Sequence, residues 1–279
     1  MQIQQIADND VFLEATGEFL ARREDEYNWM LGSLERQIRH AAPSYSFMAK
    51  VSDGTDIALV ALLAPSALFL SRGPINAIAL LCETLRASQF DINAICGPDD
   101  EVDQFVSIWT ALCQCRSELL DRQILYKLTE VRHPQSVSGS ARLMTSSDVE
   151  TVTSWEVGFS REALQEELGL ESATSIANGR VTAGDTFIWE HLGQPVSMAA
   201  LARPTANGVA LNSVYTPLKH RRNGYAAALV ARLTELALTV RGKKFCVLYA
   251  DSENATSCKI YESLGYRALM MCKRFSFAY

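Results

Sequence analysis

The chain has 279 residues, of which 48% are hydrophobic and 21% are charged, a balance typical of a soluble globular protein rather than a disordered or fibrous one. This length allows one large or two medium domains, and two domains is the better expectation. The net charge of −6 leaves no excess of Lys and Arg to bind a nucleic-acid backbone or an anionic membrane. We therefore expect neither a nucleic-acid nor a membrane partner.

Cysteine usage and the N-terminus point to the cytoplasm. The seven cysteines form no CxxC pair, so we expect no metal site, and their odd number fits a reducing compartment. The segment Met1–Asp10 lacks the basic start and apolar stretch of a secretory signal. The longest apolar-rich run, Ile57–Leu70, contains Pro65 and falls short of the ~20 residues needed to cross a bilayer.

The first half predicts the order helix, helix, three strands, helix, strand, helix, strand. Apolar residues at helical spacing predict two amphipathic helices between Asp10 and His40. Asp53-Gly54 between two apolar runs predicts a hairpin. The further predicted elements are strands Ser46–Ser52, Ile57–Leu63 and Ala67–Ser71, a helix Ile75–Leu85, a strand Asp91–Cys96, a helix after Gly97-Pro98-Asp99, and a strand Gln123–Val131.

A polar segment with Pro and Gly, residues 133–140, is typical of a linker, so we predict domains at 1–132 and 141–279. The second half predicts strand Ala141–Met144, a helix bearing Val149 to Phe159, helix Arg161–Leu168, strands Thr186–His191, Val196–Arg203 and Gly208–Tyr215, helix Asn223–Val240, strand Phe245–Ala250, helix Ala255–Leu264 and closing strands to Tyr279. This order repeats that of the first half. Either duplication or coincidence between two α/β halves explains the repetition, and we favour duplication.

The most informative stretch is the basic turn between strand Gly208–Tyr215 and the helix that follows it. A helix beginning near Asn223 leaves its first amides unpaired and carries partial positive charge, which favours a phosphate. Gly224 permits close backbone approach, and Lys219, Arg221 and Arg222 add charge. The alternative is an ordinary helix start after a solvated basic loop.

The pattern Arg221-x-x-Gly224-x-Ala226 resembles the acetyl-CoA-binding motif of the GNAT acyltransferase superfamily. Leu248-Tyr249-Ala250-Asp251, Asn254, Ser257, Tyr261 and Gly265-Tyr266 resemble that family's later strand, helix and strand. The resemblance implies an α/β fold of two GNAT-like domains in tandem, each a mainly antiparallel mixed sheet flanked by helices. The cofactor-binding residues that it implies are Ser213, Val214, Tyr215, Lys219, Arg221, Arg222, Asn223, Gly224, Tyr225, Ala226, Asn254, Ser257 and Tyr261.

The resemblance also implies a chemistry. Amides from Leu218 to Ala226 would hold the pyrophosphate of acetyl-CoA, and Ser213–Tyr215 would pair with its pantetheine arm. An amine would attack the thioester directly, and Tyr261 would protonate the departing thiolate, unless this tyrosine is only a packed helix residue. Glu190 is the candidate base and Asp251, at the edge of the site, is the other carboxylate in reach, although a surface carboxylate is the more ordinary role for each.

Three other residues near this site are more simply structural. Asp251 follows a strand end, Cys258 lies one helical turn before Tyr261, and His191 neighbours Glu190. A direct-attack mechanism needs no covalent nucleophile, so we expect Cys258 to serve packing.

The first half departs from the motif at the corresponding place. Ser71-Arg72-Gly73-Pro74 replaces the basic loop, and Pro74 removes one amide donor. We expect this half to be degenerate and without the cofactor, although a separate binding site in it stays open.

The sequence therefore favours an acetyl-CoA-dependent N-acetyltransferase acting on a primary amine of a small molecule or peptide. The alternatives are a non-catalytic CoA-binding sensor or scaffold and a transferase of another acyl group. Whether the chain is a monomer or a homodimer is left open.

Overall fold

The fold comes from a computed structural model, which describes residues 1–164 and 166–279. The first half has the elements β1 (Gln2–Gln5), α1 (Asn9–Ala21), α2 (Asn28–Arg39), β2 (Phe47–Asp53), β3 (Asp56–Ala64), β4 (Ala67–Leu70), α3 (Ile75–Ala87), β5 (Ala94–Pro98), α4 (Asp99–Cys113) and β6 (Arg116–Leu128).

The second half repeats this order. Its elements are β7 (Ser140–Leu143), α5 (Val149–Phe159), α6 (Leu170–Ala183), β8 (Thr186–His191), β9 (Gln194–Ala202), β10 (Gly208–Tyr215), α7 (Tyr225–Glu235), β11 (Phe245–Asp251), α8 (Ala255–Ser263) and β12 (Arg267–Ala278). Short π-helical turns, Ser160–Leu164 and Leu236–Val240, continue α5 and α7.

Contacts divide the chain into two compact units, each assembled from more than one segment. The first unit is Met1–Leu125 with Ala250–Glu253 and Ala268–Tyr279, and the second is Tyr126–Tyr249 with Asn254–Arg267. These units differ from the linear division at residues 133–140. The last strand, β12, belongs largely to the first unit because it pairs antiparallel with β5.

The sheet of the first unit is covered on both faces. Strands β1 to β4 pair antiparallel in chain order, and β4 pairs parallel with β5 through Leu68↔Ile95 and Phe69↔Cys96. Successive strand side chains point to opposite faces. Phe47 therefore packs with residues of α3 and α4, whereas Met48 packs with residues of α1 and α2.

The second unit has the same pairing scheme. Strands β7 to β10 pair antiparallel in chain order, and β10 pairs parallel with β11. A buried cluster of Met144, Val152, Trp155, Ala177, Ile188 and Met198 joins the strands to α5 and α6. Both units thus consist of antiparallel strands followed by one parallel strand, as the predicted duplication requires.

Turn chemistry explains the hairpin between β8 and β9. Leu192 (φ 51°) and Gly193 (φ 73°) form a tight turn with two positive φ angles between β8 and β9. Asn207-Gly208, in contrast, is not the centre of a two-residue turn. Gly208 begins β10, where a Cβ would lie 2.2 Å from the Phe245 ring, so close ring packing requires this glycine.

The predicted helix at Arg161–Leu168 is wrong. The structure has the π-helical turn Ser160–Leu164 and then α6, and Gln165 of the predicted helix lies outside the described residues. Only Ala173 and Ala177 of α6 are buried, so this helix lacks the large apolar stripe that identifies amphipathic helices. In the described part of the chain, no helix is long and apolar enough to cross a membrane.

Candidate functional site

The candidate site begins where β10 and β11 separate. Their parallel pairing runs from Gly208↔Phe245 to Ala210↔Val247, although β10 continues to Tyr215. The later part of β10 therefore has an edge whose backbone groups have no partner on β11. Buried backbone donors and acceptors require partners, so this edge is suited to an extended ligand.

The same part of β10 contains a bulge. The pairing with β9 shifts register between Asn212↔Ala200 and Tyr215↔Met198, and Ser213 adopts a φ of 51°. The extra residue leaves the bulge without a matching partner on β9. The side-chain Oδ1 of Asn212 is also buried without a hydrogen-bond partner in the described structure.

The loop after β10 contains two residues with left-handed backbone angles. Residues Leu218–His220 form one 3-10 turn, after which Arg222 (φ 65°) and Gly224 (φ 77°) both adopt left-handed backbone angles. The Asn223 side chain braces the turn by donating to the carbonyls of His220 and Arg221, at 3.1 Å each. Successive amides around such left-handed residues form a concave surface that favours anions.

The free amides are fewer than the sequence implied. The amides of His220 and Arg221 donate to the carbonyls of Pro217 and Leu218, so they are already used. Within α7 the first helical bond comes from the amide of Ala228, which donates to the Gly224 carbonyl. The amides of Tyr225 and Ala226 precede it at the helix N-terminus, where no intrahelical acceptor exists.

Arg221 is not a free cation. Its Nε donates to the Thr216 carbonyl at 2.8 Å, and its guanidinium forms an ion pair with Glu162. The Tyr215 hydroxyl donates to the other oxygen of Glu162 at 2.9 Å. Burial opposes ionisation of Glu162, but the hydrogen bonds from Arg221 and Tyr215 outweigh it and lower its pKa. An anionic ligand must therefore compete with Glu162 for Arg221.

The remaining basic residues of the loop are exposed or uncharged. Lys219 and Arg222 point their charges to solvent at the loop surface. Burial, with a smaller effect of Lys219, lowers the pKa of His220, so its imidazole is mainly neutral at pH 7. The charge available to a phosphate here comes from Lys219, Arg222 and the helix N-terminus.

Tyr261 is a buried phenol whose hydroxyl has no hydrogen-bond partner among the described residues. Its side chain is 8% exposed, and its ring packs between those of Tyr126 and Tyr266. The hydroxyls of Tyr126 and Tyr266 bond to Glu262 and Thr234, whereas the Tyr261 hydroxyl forms no hydrogen bond with the described residues. Burial raises the pKa of Tyr261 to about 12, so it keeps its proton throughout the neutral range.

The predicted residues at the start of α8 cap that helix. The Asn254 side chain accepts a hydrogen bond from the Ser257 amide at 3.0 Å. This is an ordinary N-cap, and it holds the helix that carries Tyr261.

Glu190 lies on β8 in a separate cluster. Its Oε2 accepts a hydrogen bond from Arg142 at 2.6 Å, and Arg142 also pairs with Asp148 at 2.8 Å. Burial raises the pKa of Asp148, but the hydrogen bond from Arg142 has a larger effect and lowers it. The bond to Arg142 occupies Oε2, so Oε1 is the oxygen of Glu190 that is available to accept a proton.

The three residues set aside in the sequence have local roles. His191 Nδ1 lies 3.2 Å from the Ser138 carbonyl, and its ring centroid is 5.5 Å from that of Tyr225. Asp251 accepts from the Glu253 amide at 2.9 Å, and Cys258 is buried beside Tyr126. No cluster of His, Cys, Asp and Glu suited to a metal ion occurs in the described residues.

Sequence reasoning missed four residues of this region, namely Glu156, Glu162, Arg180 and Asn212. Arg180 lies on α6, which was not predicted, and Glu162 is far from Arg221 along the chain. The only local signal was Asn212-Ser213, a polar pair that interrupts an otherwise apolar strand.

The corresponding loop of the first unit is filled by the protein's own carboxylates. Arg72 Nε donates to Glu26 at 2.8 Å, and the Gly73 amide donates to Glu101 at 3.4 Å. A Cβ on Gly73 would lie 2.7 Å from Leu59, so this face of the glycine is filled by packing. Pro74 precedes α3 and supplies no amide hydrogen.

Comparison with known proteins identifies similar sequences and folds. A family model described as FR47-like protein matches residues 192–275, which include the basic loop, β11 and α8. No curated protein matches the chain.

Solved structures cover nearly the whole chain. A GNAT-family acetyltransferase from Colwellia psychrerythraea has a TM-score of 0.58 and 11% identity, covering 99% of each chain. A GCN5-related N-acetyltransferase from Sphaerobacter thermophilus has a TM-score of 0.62 and 14% identity, covering 98% of this chain and 94% of that one. A tandem GNAT protein from the clavulanic acid pathway has a TM-score of 0.57 and 13% identity, covering 99% and 98%. At these identities the likeness concerns the fold.

The assignment of this loop to coenzyme A predicts that Gly224→Val weakens that binding by at least about 10-fold, because a branched side chain at a φ of 77°, with its Cβ 3.1 Å from Val137, distorts the turn whose amides would meet a phosphate. Calorimetric titration measures this. Gly184→Val is the matched control: Gly184 also has a positive φ, 65°, and has no atom within 4 Å of its Cβ position. Both variants should lose about 1–2 kcal/mol of stability from backbone strain. Unchanged affinity in Gly224→Val would overturn the loop assignment.

Glu162→Gln is expected to tighten coenzyme A binding about 3- to 10-fold at low ionic strength, since the phosphate no longer displaces a carboxylate from Arg221. The gain should shrink as salt is added. Glu167→Gln is the control, because Glu167 forms an exposed ion pair with Arg161 at 3.7 Å in the same segment. Weaker binding in Glu162→Gln would show that Glu162 orders the loop instead of competing with the ligand.

Proposed function

We propose that this chain, a protein of the GNAT fold, is an acetyl-CoA-dependent N-acetyltransferase that acts on a primary amine of a small molecule or peptide. The observation that carries the proposal is the separation of β10 from β11 beside a helix start with unpaired amides. The separated strand edge suits an extended chain, and the helix start suits phosphates. Coenzyme A consists of an extended pantetheine arm joined to phosphates.

The loop before α7 fits the phosphates of the cofactor. The left-handed residues Arg222 and Gly224 turn backbone amides toward one side, and α7 contributes its N-terminal partial charge. Ala226 keeps the first helical turn narrow. Arg221 joins the site when the phosphate replaces Glu162.

The open edge of β10 fits the pantetheine arm. The two amide groups of the pantetheine arm supply donors and acceptors in the manner of an added strand. The matching backbone edge is Ser213 to Tyr215. The buried Oδ1 of Asn212 lacks a partner in the described structure. An unsatisfied buried acceptor costs about 1–3 kcal/mol, so a ligand N–H there is favourable.

The reaction joins the amine nitrogen to the acetyl carbon while the carbon–sulfur bond breaks. The thioester supplies an activated acyl group. In this proposal, amides at the bulge donate to its carbonyl oxygen, which becomes more negative as the amine adds. The amine must first lose a proton, and the sulfur must gain one.

We assign Tyr261 as the hydrogen-bond donor to the sulfur. Its hydroxyl carries a proton at neutral pH and has no partner in the described structure. Full transfer from a pKa of about 12 to a thiolate of pKa about 8.5 is uphill by about 5 kcal/mol. A hydrogen bond to the developing thiolate is therefore the expected contribution of Tyr261, and the proton that the amine releases reaches the thiolate through solvent after departure.

The acceptor of the amine's proton is less constrained by the geometry. Glu190 remains our candidate, although it is held by Arg142. A general base contributes about 10²–10⁴-fold to the rate. A loss of this size in Glu190→Gln supports the assignment, and a small loss favours removal of the proton through water.

Calorimetric titration of the whole chain with acetyl-CoA tests the proposal, followed by a screen of primary amines for release of the CoA thiol. We expect one site per chain, because Glu26, Glu101 and Pro74 fill the corresponding loop of the first unit. Two sites would contradict that reading of the first unit. Absence of binding would overturn the proposed function, and binding without turnover on any amine would favour a CoA sensor.

Tyr261→Phe is expected to lower kcat about 10²-fold and to change the affinity for acetyl-CoA less than 2-fold, because only the hydroxyl is removed. Steady-state kinetics with the best amine of the screen measure both. Tyr266→Phe is the control, since its hydroxyl is already bonded to Thr234 at 2.7 Å. An unchanged kcat in Tyr261→Phe would place the donor elsewhere.

A further inference from the structure

The bulge in β10 holds a residue in an unfavourable backbone conformation. Ser213 has a φ of 51°, a region that residues with a Cβ rarely adopt. Glycine is the usual residue at such an angle, and serine has no intrinsic preference for it. Some neighbouring group must therefore stabilise the bulge.

That group is a buried ion pair between the two helices that cover this face of the sheet. Glu156 of α5 is 4% exposed, and its Oε1 accepts from Arg180 Nε of α6 at 2.5 Å. The other end of the same guanidinium, NH2, donates to Ser213 Oγ at 2.8 Å. Arg180 thus bonds Glu156 and the bulge simultaneously.

The arginine geometry makes this link directional. A guanidinium presents its donors in a rigid plane, so fixing one nitrogen on Glu156 fixes where the other meets Ser213. A buried ion pair is a poor source of net stability, since hydrophobic replacements of similar volume are often as stable. Its position next to a distorted strand fits a role in fixing the geometry of that strand.

We propose that the Glu156–Arg180 pair positions the β10 bulge, and that this aims the backbone of Ser213 and Val214 at the thioester carbonyl. Arg180 is a positioning residue: it acts through Ser213 and does not touch the substrate. The proposal rests on the proposed function. Asn212, whose Oδ1 is buried without a partner in the described structure, immediately precedes the bulge.

Two variants separate this role from general stability. Arg180→Lys keeps a positive charge for Glu156 but loses the fork that reaches Ser213, and Ser213→Ala removes the hydroxyl while leaving the ion pair intact. Arg232→Lys is the control, because Arg232 forms an exposed pair with Glu235 on α7.

The experiment is calorimetric titration of the wild type and these three variants with acetyl-CoA and with CoA. We expect the wild type to prefer acetyl-CoA by about 5-fold, the contribution of one net hydrogen bond. Arg180→Lys should lose this preference while its affinity for CoA stays within about 2-fold of wild type, and Ser213→Ala should lose the preference as well. Arg232→Lys should keep the preference. A merely structural role predicts equal losses for both ligands.

Each other outcome overturns the inference. If wild type binds both ligands equally, or if the two variants keep the preference, the ion pair does not aim the bulge and only this inference fails. If wild type binds neither ligand, the proposed function fails with it.

Discussion

The parallel pairing of β10 with β11 ends after Ala210↔Val247, and the candidate site depends on where it ends. A longer ladder would close the edge that an extended ligand needs, and a shorter one would separate the two strands of the core. Gly208 and Phe245 secure the paired end, since the ring packs where any side chain on Gly208 would stand. The bulge at Ser213 opens the other end.

Two arginines of the candidate site form ion pairs with the protein's own carboxylates. Arg221 is paired with Glu162, and Arg180 is paired with Glu156. The two pairs differ in burial: side-chain exposures are 39% and 35% in the first pair but 16% and 5% in the second. An exposed pair exchanges partners at little cost, whereas separating a buried pair leaves an uncompensated charge. The first pair therefore suits exchange with a phosphate, and the second suits a fixed support.

The two units show how one topology carries different loops. Both place a parallel strand after four antiparallel ones, and in both a helix follows the fourth strand. In the second unit that helix start has left-handed residues and exposed cations, and in the first it has Pro74 and the carboxylate of Glu101. An anion fits the helix start of the first unit less well, because the carboxylate of Glu101 already makes it negative. The function proposed here follows from loop chemistry, since the topology is shared.

Local sequence determined the elements with strong periodicity or turn chemistry, among them α7, β8 to β10 and the turn at Leu192-Gly193, and it located the basic loop through Arg221 and Gly224. It failed for α6, whose buried face is only alanine, and for the polar edge strand β1. Tertiary structure alone decided that β12 pairs with β5, that Glu162 occupies Arg221 and that Arg180 reaches Ser213. These contacts join residues far apart in the chain, and periodicity and turn propensity act only between near neighbours.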